Sequence, residues 1–233
     1  KIDPNNLIAL NGITDWLSSF TLEDKKHLKN LCLLLFRKNN INHNDISYNA
    51  KISLFNQDNF FKIKKIVNSD SSLFFDPFIS KLIQEELLHL MLQKSLIADK
   101  FLEKLFCKIR HEALFKLNKK TNNILKKNLN FLISLAQQCW LNEYVYIQSA
   151  KETTEINILK DKLEKDKNIK ELELAILGCY IPLNNSEIIK NSLLIYKSKN
   201  NLFNDLISLQ IKEPLNEKEI AKSIESLDKI IDP

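Results

Sequence analysis

The sequence of 233 residues contains very little glycine. It has two glycines, Gly12 and Gly178, where average usage of about 7% would give roughly sixteen. Glycine supplies the positive φ angles of tight hairpin turns and lets the backbone approach a bound phosphate closely. The scarcity therefore argues against a hairpin-rich β fold, a P-loop and any other glycine-rich nucleotide loop.

Arginine is also scarce, although the chain is basic. The net charge is +5, and only Arg37 and Arg110 among the 34 basic residues are arginines. Arginine reads phosphates and base edges through its planar fork, whereas the lysines here stand among acidic residues along predicted helices. We therefore expect no nucleic-acid partner, and we interpret clusters such as Lys62, Lys64 and Lys65 as solvated helix faces.

The four cysteines are far apart, and none of them belongs to a C-x-x-C pair. Each lies in an apolar helical context: Cys32, Cys107, Cys139 and Cys179. This pattern predicts free thiols in a reducing compartment and neither a zinc site nor disulfides. No apolar run approaches the ~20 residues needed to span a bilayer, and the first residues do not resemble a signal peptide. We expect a cytoplasmic protein with no membrane partner.

Apolar residues recur at helical spacing along almost the whole chain. The pattern predicts an all-α fold, an irregular multi-helix bundle or array of roughly ten helices with no sheet. A repeat-like stacking stays open, although no fixed period is evident. The polar stretch Asn68 to Ser72 is the best internal boundary. It divides the chain into an N-terminal helical segment, residues 1–70, and a second helical domain, residues 71–233.

Capping signals predict where several helices begin. Asp76, which precedes Pro77, and Asp99 are the expected N-cap residues of two helices. The apolar residues after Asp76 continue at helical spacing as far as Met91. Residues 39–49 are polar and are predicted to form a loop, and a long helix is predicted from Asn122 to about Gln148.

The ten residues 137–146, QQCWLNEYVY, carry more polar groups than a packed helix needs. Each buried polar group must find a partner or cost a few kcal/mol. We therefore predict a structural polar network, whose members are Arg110, Gln138, Asn142, Glu143 and Tyr144. Within it, Glu143 continues the inward line of the long helix and is expected to pair with Arg110. The alternative is that Arg110 points to solvent and Glu143 bonds locally.

Two aromatic residues of the same stretch, Trp140 and Tyr146, are candidates for an interaction surface. They could line a groove for a peptide, although aromatic residues at helical spacing more often belong to a core.

Two pairs that contain histidine have the spacing of metal ligands. Glu86 and His89 are three residues apart, as in the carboxylate–histidine motif of di-iron bundles, and Cys107 and His111 are four apart. Neither pair has the companion ligands that a complete site requires, and Cys107 lies in an apolar run that favours an unreactive thiol. No catalytic, cofactor-binding or metal-binding residue is therefore assigned.

A set of short segments in a fixed order carries a family resemblance. The matching positions are Asp76-Pro77, Glu103, Arg110, Leu114, Gln138-Cys139, Asn142-Glu143-Tyr144-Val145, Tyr180, Pro182-Leu183, Gln210 and Glu213-Pro214. Together they resemble the helical region of bacterial proteins that join tetratricopeptide repeats to a class I S-adenosylmethionine-dependent methyltransferase domain. The resemblance extends from about Asp76 to Pro233. Because the sequence begins with Lys1, we also expect it to be a piece of a longer protein.

The resemblance implies a non-catalytic interaction or regulatory domain next to the catalytic half of its parent protein. The glycine-rich loop that holds the methyl donor in that family has no counterpart here, so no cofactor is expected in this chain. The implied partners are proteins, either the adjacent repeat and catalytic domains or a protein substrate. The alternatives are an independent all-helical peptide-binding scaffold and, third, a helical metalloenzyme.

Overall fold

A computed structural model describes residues 25–55, 57–117, 122–166 and 168–231 of the chain. Within these ranges every regular element is a helix and no β-strand is present. The predicted all-α fold is therefore confirmed.

The elements follow one another with short connections. The first are α1 (Lys25–Phe36), α2 (Asn44–Leu54), α3 (Gln57–Val67), α4 (Pro77–Leu82), α5 (Glu86–Lys94) and α6 (Lys100–Lys116). They are followed by α7 (Asn122–Lys127), α8 (Leu129–Leu141), α9 (Ala150–Lys165), α10 (Glu171–Gly178), a 3-10 turn (Leu183–Asn185) and α11 (Glu187–Ile195). The last are α12 (Asn201–Ile207), a π-helical turn (Ser208–Lys212) and α13 (Glu213–Ile231).

Side chains cap several helices at their first turns. The carboxylate of Asp76 accepts hydrogen bonds of 2.9 and 3.1 Å from the backbone N–H groups of the second and third residues of α4. Asp99 does the same for α6, at 3.1 and 2.9 Å. Both predicted N-caps are therefore confirmed. Ser149 and Glu152 form a reciprocal capping box at the start of α9, which satisfies two backbone donors that the helix leaves unpaired.

Helix α8 lies at the centre of the core. All nine residues from Phe131 to Cys139 are buried, because α8 packs against α5, α10 and α12. The approach of α10 is so close that a Cβ atom at Gly178 would lie 3.3 Å from Cβ of Ala136. Glycine at this position therefore lets the two helices meet. Helices from both sides of the 68–72 stretch share the core, since α1 and α2 pack on α5.

Several predicted helix boundaries are wrong. The predicted helix from Asn122 to Gln148 is divided at Asn128, whose side chain donates to the carbonyl of Ile124 at 2.8 Å and so competes with the helical backbone. Its second part, α8, ends at Leu141. The run from Asp76 to Met91 forms two helices, and α2 begins at Asn44, inside the stretch predicted to be a loop.

Across the described ranges, none of the helices combines the length and the apolar character that crossing a membrane demands.

Candidate functional site

The candidate site is built around the turn that ends α8. The N–H of Tyr144 donates to the carbonyl of Cys139 at 2.9 Å, and the N–H of Glu143 donates to the carbonyl of Trp140 at 3.0 Å. This pair of bonds is the Schellman motif, which satisfies the last carbonyls of a helix. Glu143 and Tyr144 both have positive φ angles, 55° and 59°. The chain therefore reverses at positions where glycine or asparagine is the usual residue.

Arg110 of α6 holds the segment that follows this turn. The guanidinium donates to the carbonyls of Tyr146 at 3.0 Å, Ile147 at 2.7 Å and Cys179 at 3.0 Å. Its side chain is among the largest that are fully buried, and its carbon Cζ lies 4.3 Å from the ring centre of Tyr180 and 5.6 Å from that of Tyr146. The buried charge is thus met by three carbonyl dipoles and two aromatic faces, which ties α6 to two other parts of the chain.

The predicted ion pair between Arg110 and Glu143 is wrong. Glu143 is exposed, and the partners of Arg110 are backbone carbonyls. The physical reason is that α8 ends before Glu143, so the left-handed turn carries this side chain away from the inward line of the helix.

The other predicted members of the polar network occupy different places. Gln138 is fully buried and faces the end of α5. With its side-chain amide oriented so that the nitrogen faces α5, that nitrogen donates to the carbonyls of Ser95 at 2.9 Å and Leu92 at 3.3 Å. Asn142 is buried at the C-terminus of α8, and Tyr144 is half-buried. The structure therefore places Gln138 against α5, whereas Arg110 bonds to the segment after α8.

A second polar cluster adjoins Arg110 through Tyr180. The hydroxyl of Tyr180 donates to the buried carboxylate of Glu152 at 2.8 Å, and Ser149 donates to it through both its N–H and its hydroxyl, each at 2.8 Å. Burial by itself would raise the pKa of Glu152, but these hydrogen bonds outweigh burial and hold the pKa below its ordinary value. Nδ1 of His111 lies 3.4 Å from the same carboxylate. The cluster links α6 and α9 to the turn that follows α10.

Of the two candidate surface residues, Trp140 is half-buried and Tyr146 is buried, with 5% of its surface exposed. Tyr146 therefore belongs to the core and cannot present its ring to a partner. Its neighbours do face solvent, because Val145 and Ile147 are 69% and 81% exposed. With Leu141, which is also exposed, they form what we call the apolar ridge (Leu141, Val145 and Ile147). The sequence signal for it is the run of three apolar residues at 145–147, because successive side chains outside a helix point in different directions and cannot all face the core.

The residues with metal-ligand spacing, which were not assigned as ligands, have other surroundings. Glu86 accepts hydrogen bonds from Nε and Nη2 of Arg37 at 3.0 and 2.7 Å, and Nε2 of His89 donates to the carbonyl of Ile83 at 2.8 Å. Burial raises the pKa of the Cys107 thiol to about 11, so this thiol is protonated at neutral pH. Residues 25–55, 57–117, 122–166 and 168–231 contain no group of three potential ligands placed to hold a metal ion.

An open cleft of about 390 Å³ lies between the 70–72 turn and α6. Its lining includes Ser71, Lys108, His111 and Phe115. His111 thus connects this cleft with the Glu152 cluster. No sequence pattern predicted the cleft, because its two walls are about forty residues apart in the chain.

Comparison of the chain with models of protein families, with curated proteins and with solved structures finds no match.

Proposed function

We propose that this chain is a non-catalytic helical domain that positions or recognises a protein partner, within a bacterial protein linked to a class I S-adenosylmethionine-dependent methyltransferase. The observation that carries the proposal is the apolar ridge. Its residues Val145 and Ile147 expose most of their apolar surface to water, and covering such surface is favourable by about 25 cal/mol per Å².

The ridge is held in place before any partner arrives. Arg110 bonds to the carbonyls of Tyr146 and Ile147. Tyr146, which lies between Val145 and Ile147 in the sequence, is buried in the core, and the Schellman turn fixes the residues before them. A segment that is already ordered loses little conformational entropy on binding. The function of Arg110 in this proposal is to support an interaction surface.

The link to a methyltransferase is supported by the family resemblance. Its most specific part, positions 138–145, contains the end of α8, the Schellman turn and Val145 of the apolar ridge. The adjacent catalytic domain is therefore the partner proposed for this surface.

The second candidate is an independent helical peptide-binding scaffold. The open cleft beside α6 favours it, because a concavity of this size can receive a side chain of a bound peptide and its polar lining can bond to that peptide.

The proposal can be tested by reading the gene that encodes this chain and by measuring binding to the domain that the adjacent sequence encodes. We expect the coding sequence next to this segment to specify a methyltransferase domain with a glycine-rich loop, and we expect that domain to bind the purified chain in trans. Isothermal titration calorimetry should show that Val145→Asp with Ile147→Asp weakens binding at least about tenfold, because a carboxylate must then be buried.

The matched control is Ile195→Asp, since Ile195 is 89% exposed at the end of α11 and lies outside the ridge. It should leave the affinity unchanged. Equal weakening by both changes, or a gene that encodes no methyltransferase domain, would remove the basis of the proposal.

A further inference from the structure

Four lysines converge at the C-terminal end of α3. Lys64 and Lys65 are in its last turn and exposed. Lys104 of α6 donates to Oδ1 of Asn68 at 2.7 Å, and Lys108 donates to the carbonyls of residues 66 and 67 at 3.2 and 3.4 Å and to that of residue 69. We call this surface the lysine face (Lys64, Lys65, Lys104 and Lys108).

The C-terminal end of α3 carries too little negative charge to balance the four lysines. The dipole of a helix places about half a negative charge at its C-terminus, and the carbonyl and amide oxygens that Lys104 and Lys108 bind carry no net charge. None of the four ammonium groups lies within 4.0 Å of a carboxylate in the part of the chain that the structure describes. By contrast, Lys116, which is also on α6, pairs with Glu112 at 3.2 Å. Even with Asp70 nearby on the rim of the cleft, the lysine face is strongly positive.

Apolar surface accompanies this charge. Phe61 is 65% exposed and stands three and four residues before Lys64 and Lys65, so it shares their face of α3. At the other side, Lys108 is part of the wall of the open cleft, which also contains Phe115. Positive charge is therefore bordered by an exposed aromatic ring and by a concavity large enough for a side chain.

We propose that the lysine face binds an acidic peptide segment of a protein partner, with an aromatic or aliphatic side chain of that segment against Phe61 or in the cleft. This inference goes beyond the function proposed for the apolar ridge, because it concerns α3 and α6. It deepens the second candidate function by naming the class of peptide that the cleft and the adjoining lysines would bind. Charge complementarity identifies the occupant as anionic, and the adjacent aromatic ring and cleft favour a partner with side chains of mixed character.

Two other anionic partners fit the surface less well. A nucleic acid is usually gripped by arginine forks and by several stacking aromatic residues, and the lysine face has no arginine and one exposed ring beside it. An acidic bilayer presents a flat surface, which would leave the cleft at Lys108 without a function. Both are included as competitors in the experiment.

The experiment measures fluorescence anisotropy with the whole chain and a labelled peptide of about twelve residues, made of glutamates and two phenylalanines. The double variant Lys64→Glu with Lys65→Glu should weaken binding about tenfold or more, and the affinity should fall as salt screens the charges. Phe61→Ala should weaken binding of this peptide and leave unchanged the binding of a second peptide in which serines replace the phenylalanines.

The matched control is Lys197→Glu with Lys199→Glu, because both lysines are exposed in the loop between α11 and α12 and the change in net charge is the same. It should bind like the parent chain. Equal weakening by the two double variants would show attraction by net charge alone and overturn the proposal. Tighter binding of an oligothymidylate or of phosphatidylserine vesicles than of the peptide would overturn it as well. Neither result bears on the apolar ridge.

Discussion

At the scale of single residues, Arg110 is the side chain on which the site depends. Its fork reaches three carbonyls in two separate segments while its plane lies near the ring of Tyr180. A lysine has a point charge and cannot satisfy the same set of acceptors. We predict that Arg110→Lys lowers the free energy of unfolding by about 2–4 kcal/mol, measured by urea denaturation followed by circular dichroism.

The chain offers a matched control in its other arginine. Arg37 makes an ion pair with Glu86 in which both side chains are more than half exposed, 58% and 55%. Exposed pairs contribute at most about 1 kcal/mol, so Arg37→Lys should change the free energy of unfolding by less than that amount. If the two substitutions had the same effect, the structural importance assigned to Arg110 would be wrong.

At the scale of elements, the end of α8 contains a residue that is unfavourable for its conformation. Glu143 occupies the position of the Schellman motif that glycine usually fills, with a φ of 55°. A residue with a Cβ atom pays roughly 1–2 kcal/mol in this region, which exceeds the entropy that glycine loses on folding. We predict that Glu143→Gly raises the free energy of unfolding by about 0.5–1 kcal/mol, measured in urea at neutral pH.

The control for Glu143→Gly is Asp161→Gly in α9, where the residue is exposed and helical. Glycine there should destabilise the protein, because it raises the conformational entropy of the unfolded chain and relieves no backbone strain in the helix. A decrease in stability for both variants would contradict the strain attributed to position 143.

The same elements show what the sequence could predict. The caps at Asp76 and Asp99 are confirmed because a cap depends on residues a few positions apart. The end of α8 was predicted wrongly because its Schellman turn uses Glu143 in place of glycine, so the usual signal for a helix C-terminus is missing. The partners of Arg110 were missed for another reason. They are backbone carbonyls 36 to 69 residues away, and a carbonyl has no signature in a sequence.

At the scale of the whole molecule, the buried His43 and the half-buried His89 link stability to pH. Nε2 of His43 donates to the carbonyl of Lys38 and Nε2 of His89 to that of Ile83, each at 2.8 Å. Burial lowers the pKa of both side chains, whereas an unfolded histidine titrates near 6.5. The folded state therefore favours the neutral rings, and the unfolded state takes up protons first as the pH falls.

We predict that the free energy of unfolding is nearly constant between about pH 7 and pH 8 and decreases as the pH falls from about 6.5 through the pKa values of the folded histidines. Urea denaturation at pH 7.5 and pH 5.5 measures the difference. The double variant His43→Gln with His89→Gln should lose most of this dependence, since glutamine does not titrate. Further acidification should destabilise both proteins, because hydrogen bonds hold the pKa of Glu152 below its ordinary value and this contribution is lost once the carboxylate is protonated. Equal stability of the parent chain at the two pH values would show that neither histidine is neutral through burial.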